Sequence, residues 1–181
     1  MSGHPLGGEK NVVRLLRRLI LIAGGVVAAV LVLVATAILA VYLPASARVS
    51  AALAEVPPQL RPPPDVFFEA AICVHHHGVS DVVARRLLTA DGLSRTRAIT
   101  WAARYFIWTQ AVERRPAADR MALFANSISN KAGSGLVSGA QAYFSKEPTD
   151  LTRAEALELI LADYTNSPDS KHIEFLRRAC S

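Results

Sequence analysis

The chain has 181 residues, 51% of them hydrophobic, and its 20 lysines and arginines exceed its 15 acidic residues to give a net charge of +5. Residues 1–18 hold four basic side chains and one acid, so the remainder is only mildly basic and nucleic acid is not an expected partner. The length of residues 44–181 suits one small domain that is able to bury a core.

An apolar segment without a charged residue runs from Leu19 to Leu43. At about 1.5 Å of rise per residue, a helix of this length crosses a hydrocarbon core of about 30 Å. Four basic residues precede it: Lys10, Arg14, Arg17 and Arg18. By the positive-inside rule, residues 1–18 are cytoplasmic. We therefore expect a single-pass protein of the inner (cytoplasmic) membrane with an extracytoplasmic or periplasmic C-terminal domain.

A cleaved signal peptide is the alternative interpretation, because Ala45-Ser46-Ala47 is similar to a cleavage site. The apolar run is much longer than the roughly 7–15 residues of a signal-peptide core, which favours a retained transmembrane helix at 19–43. A short helical continuation and a stiff Pro-rich connector are predicted for 44–64, followed by the domain at 65–181.

Residues 65–181 are predicted to be mainly α, because apolar residues repeat at three and four positions and no segment alternates convincingly at period two. The predicted helices begin, in chain order, near Asp65, Ser80, Ser94, Pro116 and Thr152, and a last one carries Ile173 and Leu176. Gly78 and Asp91-Gly92 are expected to end the first two helices. Asn166-Ser167-Pro168 is a predicted turn before the last helix.

Two segments of the C-terminal half have a distinct local signature. Lys131 to Gly139 is rich in Gly and Ser, which predicts a loop or a broken helix. Thr152 and Glu155 have the spacing of a capping box, in which the two residues satisfy each other's backbone N–H groups at a helix start. Leu157, Ile160 and Leu161 are expected to face inward in that helix.

Cys73 and Cys180 are the two cysteines of the chain. They can pair in an oxidising compartment, or Cys73 can be buried as a free thiol on an apolar helical face. Sequence alone does not fix their distance, so both alternatives stay open. We expect no metal site from cysteine spacing and no cofactor.

Glu69 is a candidate general base. It precedes His76 by seven residues, which would place both on one helical face, and apolar neighbours raise the pKa of a carboxyl group toward neutrality. The alternative is an ordinary first-turn acid that the helix dipole favours. His75, His76 and His77 do not predict a metal site, because adjacent helical residues point about 100° apart.

Seven arginines could form a phosphate-binding wall, since guanidinium groups bind phosphate oxygens in pairs. They are Arg85, Arg86, Arg95, Arg97, Arg104, Arg114 and Arg115. The alternative is a solvated surface with no convergence. On the helix predicted from Ser94, the aromatic residues spread around the axis, which predicts deep burial or a surface near the membrane.

The C-terminal half carries a resemblance to a known family. Tyr143-Phe144-Ser145-Lys146, followed by Leu151-Thr152-Arg153-Ala154-Glu155-Ala156, resembles the Tyr-Phe-Gly-Lys and Leu-Thr-x-x-Glu-Ala segments of the family 51 peptidoglycan glycosyltransferases. Gly135 and Ala140 keep the spacing of the family's preceding Tyr-Gly-Ile-x-Ala-Ala-Ala stretch, and Asn126 falls near the asparagine of its Leu-Tyr-Leu-Asn helix. The similarity spans about Phe67 to Ala162.

The family's first catalytic motif, Glu-Asp-x-x-Phe-x-x-His-x-Gly, is similar to the segment Glu69 to Gly78, with the glutamate, the histidine and the glycine in register. The resemblance implies a small lysozyme-like helical domain. It implies that Glu69 deprotonates an acceptor sugar hydroxyl as that hydroxyl attacks a lipid-linked glycan. It also implies that His76, Arg104 and Asn126 bind the substrate.

The resemblance therefore implies a membrane-anchored glycosyltransferase of cell-wall synthesis that acts on a lipid-linked disaccharide. Ala70 and Cys73 stand where the motif has aspartate and phenylalanine, and the family's Arg-Lys-x-x-Glu motif has no clear counterpart. The alternative is accordingly a catalytically inactive relative that serves as a binding or scaffolding module. Its partners would be the lipid-linked precursor, the membrane and other cell-envelope proteins.

Overall fold

The computed structural model describes residues 7–76, 78–90, 92, 98–130, 133–163 and 170–180. The chain divides into two units, residues 1–41 and residues 42–181. Helix α1, Gly7–Ala54, supplies the described part of the first unit and continues into the second. Within α1, the stretch Arg14–Ala54 is long and apolar enough to span a membrane, as the sequence predicts.

The second unit is mainly α, which confirms the predicted fold class. After α1 its helices are α2 Asp65–Val74, α3 Ser80–Ala90, α4 Ala98–Glu113, α5 Ala117–Ser127, α6 Leu136–Phe144, α7 Arg153–Ala162 and α8 Ser170–Cys180. Two short 3-10 helices, Pro58–Leu60 and Pro148–Asp150, lie before α2 and before α7. Strands β1, Ser129–Asn130, and β2, Gly133–Ser134, pair as an antiparallel ribbon.

The core forms where α2 packs against α7 and α3 packs against α4 and α5. Phe67 and Phe124 are fully buried, and their rings stack with centroids 5.9 Å apart. The inward residues predicted for α7, Leu157, Ile160 and Leu161, are buried as expected. The capping box of Thr152 and Glu155 is present at its start, which confirms the predicted helix start.

The segment 44–64 belongs to the core of the second unit. Ala45, Val49 and Leu60 are fully buried, and the helix predicted to continue after the apolar run does so to Ala54. The Pro-rich part therefore packs as part of the domain, with its one 3-10 turn, where the sequence predicted an extended connector. Apolar side chains at every third or fourth position of residues 45–60 explain the difference.

A disulfide joins Cys73 and Cys180 across 107 residues of sequence, with Cα atoms 5.8 Å apart. Of the two alternatives that the sequence left open, the structure has the disulfide. The bond fastens α8 to the last turn of α2, because Cys73 lies in that turn and Cys180 ends α8.

Helices α2, α3, α5 and α7 begin at or next to the predicted positions, whereas the segment predicted as a loop or a broken helix differs. Asp65 is the first residue of α2 and makes no side-chain cap, and Pro64 takes the cap position. Residues Lys131 to Gly139 were predicted as a loop or a broken helix, but β2 and the start of α6 cover 133–134 and 136–139. A Cβ atom at Gly135 would lie 3.4 Å from the carbonyl oxygen of Asn126, and its φ is +93°. This close approach and positive φ explain why glycine opens α6.

Candidate functional site

Glu69 lies on the outward face of α2, opposite the buried Ala71 and next to the buried Ala70. Its side chain is 62% exposed, and one carboxylate oxygen is 3.9 Å from a guanidinium nitrogen of Arg153. The prediction that apolar neighbours enclose this carboxylate is therefore wrong. Phe68 and Ile72 lie on one side of it around the helix, where both line a cavity, and Ile72 is itself exposed.

His76 does not share a helical face with Glu69. Helix α2 ends at Val74, and the chain turns at His75 and His76 before Gly78, whose φ is +90°. His76 is exposed in that turn. The prediction of a shared face is wrong because the helix stops one turn earlier than the glycine predicted.

His75 turns inward instead. Its ring meets the ring of Phe124 edge-on, with centroids 5.0 Å apart. Burial lowers the pKa of His75 from 6.5 to about 4, and the positive charge of Arg86 adds to the shift against the opposing effect of Asp81. The imidazole is therefore neutral at physiological pH. His77 lies outside the described residues.

A cavity of about 240 Å³ opens between the end of α2 and the start of α5. It is lined by Phe68, Ile72, His75, His76, Gly78, Val79, Ala117, Arg120 and Met121. Its walls combine apolar side chains from α2 and α5 with two imidazoles and one guanidinium. Such a lining suits a ligand with an apolar part and an anionic group.

Arg120 is the cation of this cavity, and sequence reasoning missed it. Its Nε atom is buried and makes no hydrogen bond. A buried N–H group without an acceptor is costly, so an acceptor oxygen that enters the cavity would gain from binding the guanidinium. The sequence carried no signal for this role, because Arg120 is an isolated arginine in an otherwise ordinary amphipathic helix.

The other predicted substrate-binding residues do not gather around Glu69. Arg104 is exposed on α4, which packs mainly against α3, whereas Glu69 lies on α2, which packs mainly against α7. Asn126 is half-buried near the end of α5 and lies against Gly135. Its position there supports the start of α6, so the structure gives it a packing role.

The seven arginines do not form one wall in the described part of the chain. Arg86 forms an ion pair with Asp163, donates to the hydroxyl oxygen of Ser127 at 2.8 Å and lies over the ring of Phe124. A second cavity of about 220 Å³ is lined by Arg86, Arg85, His75, Val82 and Asp163. Asp163 compensates the charge of Arg86 in this site, and it also accepts from the backbone N–H of Ser129 at 2.8 Å.

The remaining arginines of that set lie elsewhere. Arg114 and Arg115 contact residues 42–50 at the end of α1, and Arg95 and Arg97 lie outside the described residues. The structure instead brings Arg153 to Glu69. Its signal in the sequence was its place directly after the capping residue Thr152, at the start of the family-like Thr-Arg-Ala-Glu segment.

The described residues contain no group of three or more His, Cys, Asp or Glu side chains placed to hold a metal ion. Comparisons of the chain with protein-family models, with curated proteins and with solved structures gave no match.

Proposed function

We propose that this chain is a single-pass membrane protein whose domain lies outside the cytoplasm and is a shortened relative of the family 51 peptidoglycan glycosyltransferases. In this proposal the domain binds a lipid-linked disaccharide of cell-wall synthesis. The long apolar helix and the basic residues before it support the topology. The Cys73–Cys180 disulfide supports an oxidising, extracytoplasmic compartment.

The observation that carries the proposal is that segments similar to the family meet in space. Lys146 of the Tyr-Phe-Ser-Lys segment donates to both carboxylate oxygens of Glu155, at 2.8 and 2.9 Å. Glu155 belongs to the Leu-Thr-Arg-Ala-Glu-Ala segment, and Arg153 of the same segment lies 3.9 Å from Glu69. Segments matched by sequence spacing alone thus contact one another through residues of α2, of α7 and of the turn after α6.

The geometry favours binding over polymerisation. A general base that works near neutrality needs a carboxylate held in an apolar or otherwise tuned environment, and Glu69 is 62% exposed. The cavity beside α2 offers Arg120 and His76 together with apolar walls. This lining is complementary to the diphosphate and the first apolar carbons of a lipid-linked sugar.

The polymerase remains the second candidate function, since Glu69 is accessible and has a cation beside it. The test compares polymerisation of lipid-linked disaccharide by the purified full-length chain and by Glu69→Gln. We expect the wild type and the variant to give the same background signal. A glycan product from the wild type that Glu69→Gln lowers by about two orders of magnitude or more would establish the enzyme in place of the binding module.

Binding is tested with Arg120→Gln. We expect about a tenfold loss of affinity for lipid-linked disaccharide in proteoliposomes, because a charge-assisted hydrogen bond contributes about 1.5–3 kcal/mol. The Nε atom of Arg120 makes no hydrogen bond within the described residues, so the substitution removes no internal hydrogen bond of that atom. Arg178→Gln, at an exposed position of α8, is the matched control for loss of one charge. Equal affinity of wild type, Arg120→Gln and Arg178→Gln would contradict the cavity as the binding site.

A further inference from the structure

Two neighbouring arginines directly after α4 contact the part of α1 at the end of the apolar run and just beyond it. Arg114 Nη1 donates to the hydroxyl oxygen of Tyr42 at 3.3 Å, and its guanidinium carbon lies 4.9 Å from the centre of the Tyr42 ring. Arg115 Nη2 donates to Ser50 Oγ at 2.5 Å and to the carbonyl oxygen of Ser46 at 3.2 Å. We call Tyr42, Arg114 and Arg115 the juxtamembrane cluster.

The two arginines of the cluster differ in how far their guanidinium groups are available to bind a ligand. Arg115 is half-buried and uses its guanidinium to hold Ser46 and Ser50, so it acts as a structural clamp. Arg114 is exposed and, among the described residues, has no carboxylate partner. Its neighbour Glu113 accepts from the side chain of Gln110 at 2.9 Å. Arg114 thus presents an available charge that Tyr42 holds in place.

The sequence position of Tyr42 sets the depth of this charge. Tyr42 lies in the last turn of the apolar run, and Ser46 follows Leu43 by three residues, or about 4.5 Å of helix. The polar headgroup region adds about 5–8 Å on each side of the hydrocarbon core. A tyrosine at the edge of a span is typical of this interface. We therefore expect the guanidinium that contacts Tyr42 to be within reach of lipid phosphates.

We propose that the juxtamembrane cluster binds the phosphate group of an anionic bilayer lipid, with Arg114 as the ligating side chain and Tyr42 and Arg115 as positioning residues. This inference rests on the membrane anchoring in the proposed function and concerns a site separate from the Arg120 cavity. The phosphate oxygens accept from the guanidinium N–H groups that Tyr42 leaves available. Arg115 adds a second positive charge nearby.

The test measures lipid selectivity of the full-length chain in phosphatidylcholine proteoliposomes. The probes are spin-labelled phosphatidylglycerol and spin-labelled phosphatidylcholine, and the readout is the motionally restricted fraction of each label. We expect the wild type to prefer phosphatidylglycerol. Arg114→Gln should lower that preference by up to about fivefold, because one arginine near the membrane surface contributes that much to the attraction of anionic lipid. The basic residues before the apolar run keep a residual preference in both proteins.

Two further variants keep the test specific. Arg114→Lys, which retains the charge, is expected to retain most of the preference, and Arg178→Gln, an exposed arginine on α8, is expected to leave it unchanged. An equal loss in Arg114→Gln and Arg178→Gln would overturn the proposal in favour of diffuse charge. Loss of the preference on adding inorganic phosphate would overturn it in favour of a soluble anion.

Insertion is checked by flotation of the same proteoliposomes after alkaline washing. If the wild type floats but shows no preference for phosphatidylglycerol, the lipid site is overturned while the anchoring stands. A chain that does not float overturns the anchoring on which both proposals rest.

Discussion

At the residue scale, the three consecutive histidines illustrate how burial decides the chemistry of one side chain. The seven-residue spacing of Glu69 and His76 predicted that both lie on one helical face, because the helix was expected to continue to Gly78. Helix α2 ends at Val74, and His75 turns onto Phe124 while His76 is exposed. The end of the helix one turn before Gly78 thus decides which imidazole turns inward.

Acid should destabilise the domain through His75. The unfolded imidazole takes up its proton near pH 6.5, whereas the folded one takes it up near pH 4. Between these values the unfolded state binds more protons, so the free energy of unfolding falls as the pH is lowered from 6.5 to 4. The shift corresponds to a contribution on the order of 3 kcal/mol. Thermal unfolding of the full-length chain in detergent across this pH range measures it.

The variant His75→Gln should flatten that pH dependence, and His76→Gln, which changes the exposed neighbour, should keep it. A pH profile that is the same in His75→Gln and wild type would show that other groups cause the acid sensitivity.

Element-scale features were the most predictable part of the fold. The capping box at Thr152 and Glu155 was read from sequence because both partners lie on one helical turn. The ribbon of β1 and β2 was missed because two-residue strands have no periodicity, and so was the packing of Gly135 against Asn126. Contacts within a turn are encoded locally, whereas this packing depends on residues that only the folded domain brings together.

Lys146, which follows α6, contacts Glu155 of the capping box and so connects the end of α6 to the start of α7. Its ammonium group contacts both oxygens of Glu155, and this hydrogen bond, with that from the Thr152 backbone, lowers the pKa of Glu155 from its ordinary value of 4.5 to about 2. The stabilisation from Glu155 is therefore present above pH 4.5 and is lost as the pH falls from 4.5 toward 2.

Replacing Lys146 by Met should raise the pKa of Glu155 toward 4.5, because the largest cause of the shift is removed. Carboxyl-carbon NMR titration of Glu155 in the full-length chain measures the change. Lys171→Met, at an exposed position of α8, is the matched control and should leave the titration as it is. A Glu155 titration that stays near 2 in Lys146→Met would assign the shift to the helix cap alone.

At the scale of the whole molecule, the sequence predicted the apolar helix and the mainly α domain but not how the candidate site assembles. The arginines illustrate the reason. Arg86 and Asp163 are 77 residues apart in sequence and form an ion pair, and so do Glu69 and Arg153, which are 84 residues apart. No local pattern marks such pairs, so the contact of Arg153 with Glu69 was found only in the structure.

The Cys73–Cys180 disulfide is the longest-range covalent constraint of the domain and gives its largest expected effect on stability. Opening it frees a loop of 107 residues in the unfolded state. The chain entropy gained by that loop lowers the free energy of unfolding by about 4–5 kcal/mol, and a loss of about 2–5 kcal/mol is typical for natural disulfides. The double variant Cys73→Ala/Cys180→Ala should therefore unfold at a lower denaturant concentration than wild type.

Helix α8 should also exchange its amide hydrogens faster, because the bond fastens it to α2. Wild type treated with reductant provides the matched measurement without a sequence change. Both effects should appear in the full-length chain in detergent, and an unchanged midpoint together with unchanged protection of residues 170–180 would show that packing of α8 on α2 and α7 is sufficient without the bond.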